Sequence, residues 1–551
     1  MGKTSATGSF HLLIGVAGST VIMFIGTFIL ATLLPVADVG LYGMALIPSS
    51  LINYFRDWGV NSAMTQQIAN YRASGKESEI HDVIVSGIVF ELLTGVVLSL
   101  ICFAIAQPLA LTLNASNAAH LSVYISIMSL SILAGAISSA SAAIFTGYER
   151  MKLNSLTQII QASVKTALGP FLIILGFGVL GAIYATTASI AAGGVVGIII
   201  VYFAVYRSLH KCKVGKCDVR KTLKPMLMYG LPLTVSTIIV GVLMQVFAFT
   251  MAVYAGAEMM GNYYAASYFA VLLTFISIPV STALFPAFSK LNTEKEPELV
   301  KTVFASSIKY TSLLLVPATM ILITLSTPLI GFLFPKQGIF HSLFTANAIP
   351  KFPDAPLFLA VASIINLLVL FGNISVGTFQ TGIGKTNQIM KQSLASLAVG
   401  LPLAYLLVAY FNSIGGPSLA VIGGILGTLF STLPSLIWSL HWSWKNYGVK
   451  IDFSNSAKIL AASGIASIVT YLFIGVLHLP YLFILISGFV VFAVVYLTAA
   501  PLIGAVNQKD IDNFKNMFSS LGIIAKILNI PLLFMKKMCR AKNSDASQEN
   551  A

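Results

Sequence analysis

Long apolar segments recur along the whole chain, and this pattern constrains the fold more than any other feature. A transmembrane helix needs about 20 consecutive apolar residues, and roughly fourteen segments qualify. They lie at residues 12–34, 41–66, 83–109, 121–147, 156–176, 183–206, 228–254, 264–288, 303–333, 357–381, 394–411, 419–440, 459–477 and 481–500. The sequence therefore predicts an all-α polytopic membrane protein.

The composition agrees with a membrane protein. Hydrophobic residues make up 57% of the 551 residues and charged residues 9%, whereas a soluble domain carries about 25% charged residues. The formal net charge of +14 could suggest binding to nucleic acid. The charges fall between the apolar segments instead, as in membrane proteins, so we expect no nucleic-acid partner.

The distribution of Lys and Arg predicts the orientation. Of the 32 Lys and Arg residues, 27 lie in segments on the same side as the N-terminus. Lys336 and Lys351 lie in loops on the other side, and Arg56, Lys165 and Lys309 lie within spans. Because cytoplasmic loops are enriched in Lys and Arg, we predict a plasma-membrane protein with both termini in the cytoplasm.

Short motifs recur at matching places in two halves of the chain. The pairs are 40–42 (GLY) with 261–263 (GNY), 108–109 with 328–329 (both PL), and 146–147 with 381–382 (both TG). Chance matches of Gly and Pro at span ends are the alternative explanation. Taken in order, the matches predict two six-helix lobes in a parallel repeat, a plan that places a transport substrate between the repeats.

The repeat divides the chain into five predicted parts. Residues 1–206 form an N-terminal six-helix lobe, and 207–224 form a basic cytoplasmic linker. Residues 225–448 form a C-terminal six-helix lobe, followed by two additional transmembrane helices in 449–505. Residues 506–551 form a cytoplasmic tail, in which Ile511, Phe514, Phe518 and Leu521 share the apolar face of a helix expected to lie on the inner membrane surface.

The second span carries adjacent ions, Arg56 and Asp57. An ionisable residue at membrane depth costs several kcal/mol unless it faces a partner or a water-filled cavity. In a continuous helix Asn53, Asp57 and Asn61 recur every four residues on one face. We therefore predict that this helix forms one wall of a polar cavity, with Asn53, Arg56, Asp57 and Asn61 as candidate substrate-binding residues. The alternative is that Arg56 and Asp57 tie neighbouring helices together.

Three further ions lie at membrane depth. Lys165, in the fifth span, lies at a depth similar to that of Arg56 and is a second candidate cation for the cavity. Glu91 and Lys309 lie nearer the inner surface. We expect Lys309 to snorkel towards the headgroups, with Glu91 as its partner or as a core acid. Arg56 is the best suited to phosphate, because its guanidinium stays charged and binds bidentately.

No catalytic constellation stands out, so we predict a protein that is not an enzyme and needs no cofactor. The seven histidines are scattered. His210, Cys212 and Cys217 share a basic loop, but the paired second half of a zinc motif is missing. We expect a solvated loop with free thiols there and no metal site.

Five stretches resemble a known family: 19–42 (STVIMFIGTFILATLLPVADVGLY), 56–60 (RDWGV), 146–152 (TGYERMK), 229–233 (YGLPL) and 261–291, which ends in FPAFSKL. On these stretches the chain resembles the polysaccharide and oligosaccharide-lipid flippases of the MOP (multidrug, oligosaccharidyl-lipid, polysaccharide) transporter superfamily. The resemblance extends through both lobes and the two additional spans.

The resemblance implies alternating access of a polyprenyl-phosphate- or pyrophosphate-linked glycan to a central cavity. Lipid-II flippases of the superfamily use cavity arginines for the pyrophosphate, and Arg56 matches such a position. The first, seventh and eighth spans contain no arginine, which argues against a cell-wall precursor. In the same branch a pair of extra spans forms a groove for the lipid tail, so the last two spans favour a lipid-linked substrate.

Two other functions stay open at this stage. A cation-coupled multidrug exporter would have the same fold, although exporters of the superfamily usually stop at twelve spans. A membrane glycosyltransferase or ligase is a weaker alternative, because no outside loop is long enough for a catalytic domain. Membrane lipids are expected partners, Na⁺ or H⁺ is a candidate coupling ion, and the protein is expected to act as a monomer.

The predicted topology can be tested by labelling with an impermeant thiol reagent. In a chain whose native cysteines are replaced, Asn114→Cys should react in intact cells, because the loop at 114–116 is predicted to face outward. Labelling of this variant only after permeabilisation would contradict the topology.

Overall fold

The computed structural model describes residues 2–207, 218–336, 338, 349–518, 529 and 531–538. Within these residues the secondary structure is helical, apart from one isolated bridge between Pro335 and Pro350. The prediction of an all-α protein is confirmed. His210, Cys212, Cys217, Leu521 and Cys539 lie outside the described residues.

The main α-helices of the described residues are numbered α1 to α18 in chain order. The first eight are α1 (Gly2–Leu33), α2 (Val36–Asn53), α3 (Val60–Ala73), α4 (Glu77–Ala104), α5 (Ala106–Leu113), α6 (Ala118–Gly147), α7 (Met151–Leu172) and α8 (Gly178–Val201). The next five are α9 (Val219–Ala270), α10 (Thr274–Ser289), α11 (Pro297–Thr324), α12 (Ser326–Leu333) and α13 (Ala355–Ser363). The last five are α14 (Asn373–Gly382), α15 (Thr386–Tyr447), α16 (Phe453–Val476), α17 (Tyr481–Ile503) and α18 (Gln508–Phe518).

By length and composition, nine helical stretches in the described part of the chain could cross a membrane, or ten with the bent pair Ala355–Phe371 and Asn373–Gly382. Three of them, Met151–Tyr206, Thr234–Ser289 and Thr386–Tyr447, contain 56, 56 and 62 residues. At about 1.5 Å per residue, each is long enough to cross a hydrocarbon core of about 30 Å twice. Each is interrupted by glycines outside helical conformation. The protein is thus polytopic, and the count of fourteen stays a prediction.

The helices cluster into two compact units. The first comprises Met1–Tyr268 with Thr386–Ser435, and the second comprises Phe269–Lys385 with Leu436–Ala551. In the first unit α1 packs on α7, α7 on α8, and α6 on both α4 and α8. Thr166 on α7 donates a hydrogen bond to the Ile22 carbonyl of α1 at 2.8 Å, which ties these two helices together. These two units do not test the predicted lobe boundaries, which stay a prediction.

The second unit is built around α11, α16 and α17. Its core cluster joins apolar residues of these helices to three residues of the tail, Val506, Ile511 and Met535. Lys309 on α11 lies 2.6 Å from Asp510 on α18, and both side chains are largely buried. Asn507 and Asp510 cap the start of α18 with two reciprocal hydrogen bonds of 2.9 Å. The tail helix therefore docks on protein, where its Asp510 neutralises Lys309.

The predicted continuous helix over residues 41–66 is wrong. Helix α2 ends at Asn53 and α3 begins at Val60. Between them Trp58 and Gly59 both have positive φ, 49° and 82°, a conformation that ends a helix. A Cβ on Gly59 would lie 2.2 Å from the Gly230 backbone on α9, so only glycine fits this close approach.

The break also removes the predicted polar face. Asn53, Asp57 and Asn61 lie on two helices and the turn between them, so their four-residue spacing places them on no common face. Asp57 instead accepts a hydrogen bond from the Asn61 backbone N–H at 2.9 Å. Its side chain thereby satisfies one of the free N–H groups at the start of α3.

Candidate functional site

A cavity of about 590 Å³ lies within the first unit. Five helices surround it: α1, α2, α6, α7 and α8. Its walls are Ser19, Thr20, Met23, Leu46, Ser49, Ser50, Asn53, Arg56, Met128, Ser131, Gly135, Ser138, Ser139, Ala142, Asn154, Thr157, Gln158, Gln161, Thr186 and Ile190. This volume falls within the range of about 300–1,000 Å³ that small-ligand sites occupy.

The cavity walls are polar but almost uncharged. Hydroxyl and amide side chains form most of the lining, and within the described residues Arg56 is the one charged residue among them. Hydroxyls and amides can both donate and accept hydrogen bonds. The cavity therefore suits a ligand with many hydroxyl groups and one negative charge.

Arg56 lies in the turn after α2, where the helix break points its side chain inward. Its Nε donates to Asn53 Oδ1 at 3.0 Å, and its Nη1 donates to Ser139 Oγ on α6 at 2.8 Å. The same Nη1 forms an ion pair with Glu91 Oε2 on α4. Arg56 thus joins the turn to two helices while it lines the cavity.

Glu91 is the buried counter-ion of Arg56. Its side chain is 1% exposed and that of Arg56 is 7% exposed. Its second oxygen, Oε1, accepts a hydrogen bond from Asn61 Nδ2 at 2.8 Å. Asp57 also lies within electrostatic range of the Glu91 carboxylate. The cluster therefore contains one cation and two carboxylates, and Glu91 holds the cation.

The predicted site residues lie in four places. Asn53 and Arg56 line the cavity, whereas Asp57, Asn61 and Glu91 lie in the layer of side chains behind Arg56. Lys165 Nζ lies 5.9 Å from the centre of the Tyr42 ring. Lys165 is not among the described residues of the wall, but the Tyr42 hydroxyl contacts the wall residue Thr186 at 2.8 Å.

Lys309 belongs to the second unit, where it pairs with Asp510. The expectation that Glu91 pairs with Lys309 is wrong, because Glu91 pairs with Arg56. A sequence carries no distances between helices, so it could not distinguish Arg56 from Lys309 as the partner of Glu91. Lys309 therefore has a structural role in docking the tail.

Several wall residues were missed by sequence reasoning. On α7 the polar residues Asn154, Thr157, Gln158 and Gln161 all face the cavity. They recur at positions i, i+3, i+4 and i+7, which defines one helical face. This polar stripe is evident in the sequence, but a search for charged residues alone does not find it.

A second polar cleft, of about 700 Å³, lies in the second unit between α10 and α14. Its polar lining consists of Ser277, Ser281, Thr282, Asn373, Thr378 and Thr381. Ser281 and Thr378 are joined by a hydrogen bond of 2.9 Å. Ser277 lies 221 residues after Arg56, the spacing of the predicted repeat.

An apolar groove of about 520 Å³ also lies in the second unit. Residues of α17 form one side of it, with the segment around Leu273 and helices α11 and α12 on the other. Its lining consists of Leu272, Leu273, Ile276, Ala318, Ile321, Leu322, Leu325, Leu329, Leu485, Ile486, Phe489 and Val490. Such a surface suits an acyl or prenyl chain.

The buried pair predicts a distinctive pattern of stability. Arg56→Gln should lower the free energy of unfolding by about 3–5 kcal/mol, because it leaves Glu91 buried without a cation. Arg56→Gln combined with Glu91→Gln should recover most of that loss, since no uncompensated charge remains. Melting temperatures of the purified variants in detergent measure both effects.

Arg72 supplies the matched control, because its pair with Glu149 has side chains that are 48% and 72% exposed. Arg72→Gln should change stability by about 0–1 kcal/mol. Additive losses in the Arg56 and Glu91 double variant would contradict the assignment of the buried pair.

Comparison with solved structures identifies the fold. The chain is similar to the lipid II flippase MurJ in an inward closed conformation, with a TM-score of 0.64 and 17% identity over 89% of this chain and 98% of that one. It is similar to an inward-facing multidrug resistance MATE family transporter of the MOP superfamily, with a TM-score of 0.61 and 17% identity over 76% and 93%.

A third similar structure is a MOP superfamily transporter from Pyrococcus furiosus. Its TM-score is 0.54, at 19% identity over 81% of this chain and 96% of that one. At these identities the similarity shows the fold alone, which is that of the MOP superfamily. A comparison with individually curated proteins finds no significant match.

Family membership rests on the sequence itself. The family model described as polysaccharide biosynthesis protein matches residues 5–292. This range includes the whole cavity of the first unit, with Arg56 and Glu91. The chain therefore belongs to the polysaccharide biosynthesis protein family and has the fold of the MOP superfamily transporters.

Proposed function

We propose that this protein is a flippase. It moves a lipid-linked oligosaccharide or polysaccharide unit from the cytoplasmic to the outer leaflet of the plasma membrane by alternating access. Family membership supports a role in polysaccharide biosynthesis, and the apolar helices support a multi-pass membrane protein. The excess of Lys and Arg on the side of the N-terminus supports cytoplasmic termini. The protein works as a monomer on this proposal.

The observation that carries the proposal is the position of Arg56 in a neutral polar cavity. A lipid-linked glycan joins sugar hydroxyls to a phosphate or pyrophosphate. Inside a membrane the anion needs a cation more than the sugar needs hydrogen bonds, because burying an unpaired charge costs far more than burying a hydroxyl. Arg56 supplies a permanent cation, and the surrounding hydroxyl and amide groups supply partners for the sugar.

The apolar groove supports a lipid-linked cargo. Helices α16 and α17 follow the two predicted lobes, and α17 contributes four residues to the groove wall. The groove keeps the prenyl chain in apolar surroundings while the headgroup crosses the protein, because exposing apolar surface to water costs about 25 cal/mol per Å². We assign the groove to the lipid tail and the hydroxyl-lined cleft of the second unit to sugar.

A multidrug exporter with this fold is the competing function. The chemistry of the cavity wall weighs against organic cations as cargo, because its described lining contains Arg56 and no acidic residue. Transport of an organic cation such as ethidium, without transport of a lipid-linked sugar, would favour the exporter.

The test is flipping of a fluorescent lipid-linked sugar in liposomes that contain the purified protein. Arg56→Gln with Glu91→Gln keeps the buried cluster neutral but removes the cation, so flipping should fall to background. Arg56→Lys should retain partial activity, because the charge remains but the bidentate fork is lost. Arg72→Gln, an exposed arginine in the same unit, should flip at the rate of the unchanged protein. Full activity in a stable double variant would remove Arg56 from the mechanism.

A further inference from the structure

We propose that Glu91 is a proton-binding site, and that an anionic ligand can take Arg56 only when Glu91 accepts a proton. Binding of the anion is therefore linked to uptake of one proton from solvent. The inference rests on the proposed function, because it concerns the same guanidinium.

The Arg56 guanidinium already has bonding partners in the structure. Its guanidinium contacts the Glu91 carboxylate, Asn53 and Ser139 while one side of it lines the cavity. A phosphate that bonds to the guanidinium shares its single positive charge with Glu91, whichever N–H groups the phosphate uses. A phosphate in the cavity and the Glu91 carboxylate therefore compete for one cation.

Once a phosphate has taken Arg56, the Glu91 carboxylate cannot stay charged. Glu91 is 1% exposed, so after losing Arg56 its carboxylate would be a buried and unpaired ion. Buried carboxylates in that situation take up a proton, because neutralisation costs less than desolvating the charge. Asp57 adds a second negative charge close to the Glu91 carboxylate. The proton comes from solvent through the cavity, to which the Arg56 side of the cluster is open.

The charged groups around Glu91 leave it no substitute cation. Arg56 and Asp57 are the charges that act on its carboxylate among the described residues. Helices α2, α3, α5 and α6 pack against α4, and α9 approaches it through Met226, which lies near Gly87. The other ionisable groups on the neighbouring parts of these helices are Asp38, Tyr42, Tyr71, Arg72, His120, Tyr124, Arg220, Lys221, Lys224 and Tyr229, with Glu77, Glu79, His81, Asp82 and Cys102 on α4 itself. Tyr206 also contacts α4, through His81.

Asn61 can serve both states of Glu91. Its Nδ2 now donates to Glu91 Oε1 at 2.8 Å. Within the described part of the chain, its buried Oδ1 has no hydrogen-bond partner. Rotation of the amide by half a turn presents Oδ1 to the carboxyl group, and a protonated Glu91 can then donate to it. A site built only for a permanent ion pair has no need of this second acceptor.

The experiment measures protons bound together with a ligand. The probe is farnesyl diphosphate N-acetylglucosamine, whose diphosphate diester does not titrate near neutral pH. Its binding to the purified full-length protein in detergent is followed by calorimetry in two buffers of different ionisation enthalpy. The unchanged protein should take up about one proton per bound ligand, and its affinity should rise about tenfold for each unit by which the pH falls, as linkage requires.

Two variants locate the proton. Glu91→Gln keeps the shape and the hydrogen-bonding capacity of the side chain but cannot titrate. It should bind the probe at least as tightly, without proton uptake and with little dependence on pH. Glu77→Gln, which removes an exposed acid from the first turn of the same helix, should still take up about one proton.

The outcomes separate this inference from the proposed function. Binding by the unchanged protein without proton uptake overturns the inference and leaves the flippase proposal intact, whatever happens to the variants. Proton uptake that persists in a folded Glu91→Gln protein overturns the assignment to Glu91. Failure of the unchanged protein to bind the probe overturns both.

Discussion

The ion pair between Arg56 and Glu91 is the interaction on which the first unit depends. Both side chains are almost completely buried, at 7% and 1% exposure. Breaking such a pair by removing one partner typically costs about 3–5 kcal/mol, whereas replacing both partners can be neutral. The pair is therefore poor evidence for added stability, but it strongly constrains where the turn, α4 and α6 must lie. A charged group kept at this cost in a membrane is by default a functional candidate.

The break between α2 and α3 places that pair. A continuous helix would carry Arg56 at an arbitrary point of its face. Instead, Trp58 and Gly59 have positive φ and interrupt the helix just after Arg56. Gly59 lies against Gly230 because neither residue has a Cβ. The turn therefore approaches α9 closely, and Arg56 reaches Asn53, Glu91 and Ser139 together. Local backbone conformation thus creates a site that a regular helix could not form.

Much of the fold could be predicted from sequence, because span length and hydropathy follow directly from the thickness of a bilayer. Arg56 could be singled out for the same reason, since a permanent cation among apolar residues has few explanations. Its partner could not be identified. Glu91 lies 35 residues away, and pairing at that distance depends on helix packing, not on local spacing.

Two other features could not be predicted from the sequence, because they also depend on contacts between distant parts of the chain. The helix break depends on a contact between Gly59 and Gly230, which are 171 residues apart in the sequence. The docking of the tail depends on the pairing of Lys309 with Asp510, although an amphipathic tail helix was predicted. In contrast, the polar stripe on α7 was present in the sequence and follows from helical periodicity alone.

In the proposed mechanism Arg56 exchanges Glu91 for the phosphate of a lipid-linked sugar. An electron cryomicroscopy structure of the protein in lipid nanodiscs with a bound polyprenyl diphosphate sugar tests this exchange. We expect diphosphate density within hydrogen-bond distance of the Arg56 guanidinium, with Glu91 separated from it and bonded to Asn61. Ligand density elsewhere, with the pair between Arg56 and Glu91 intact, would contradict it.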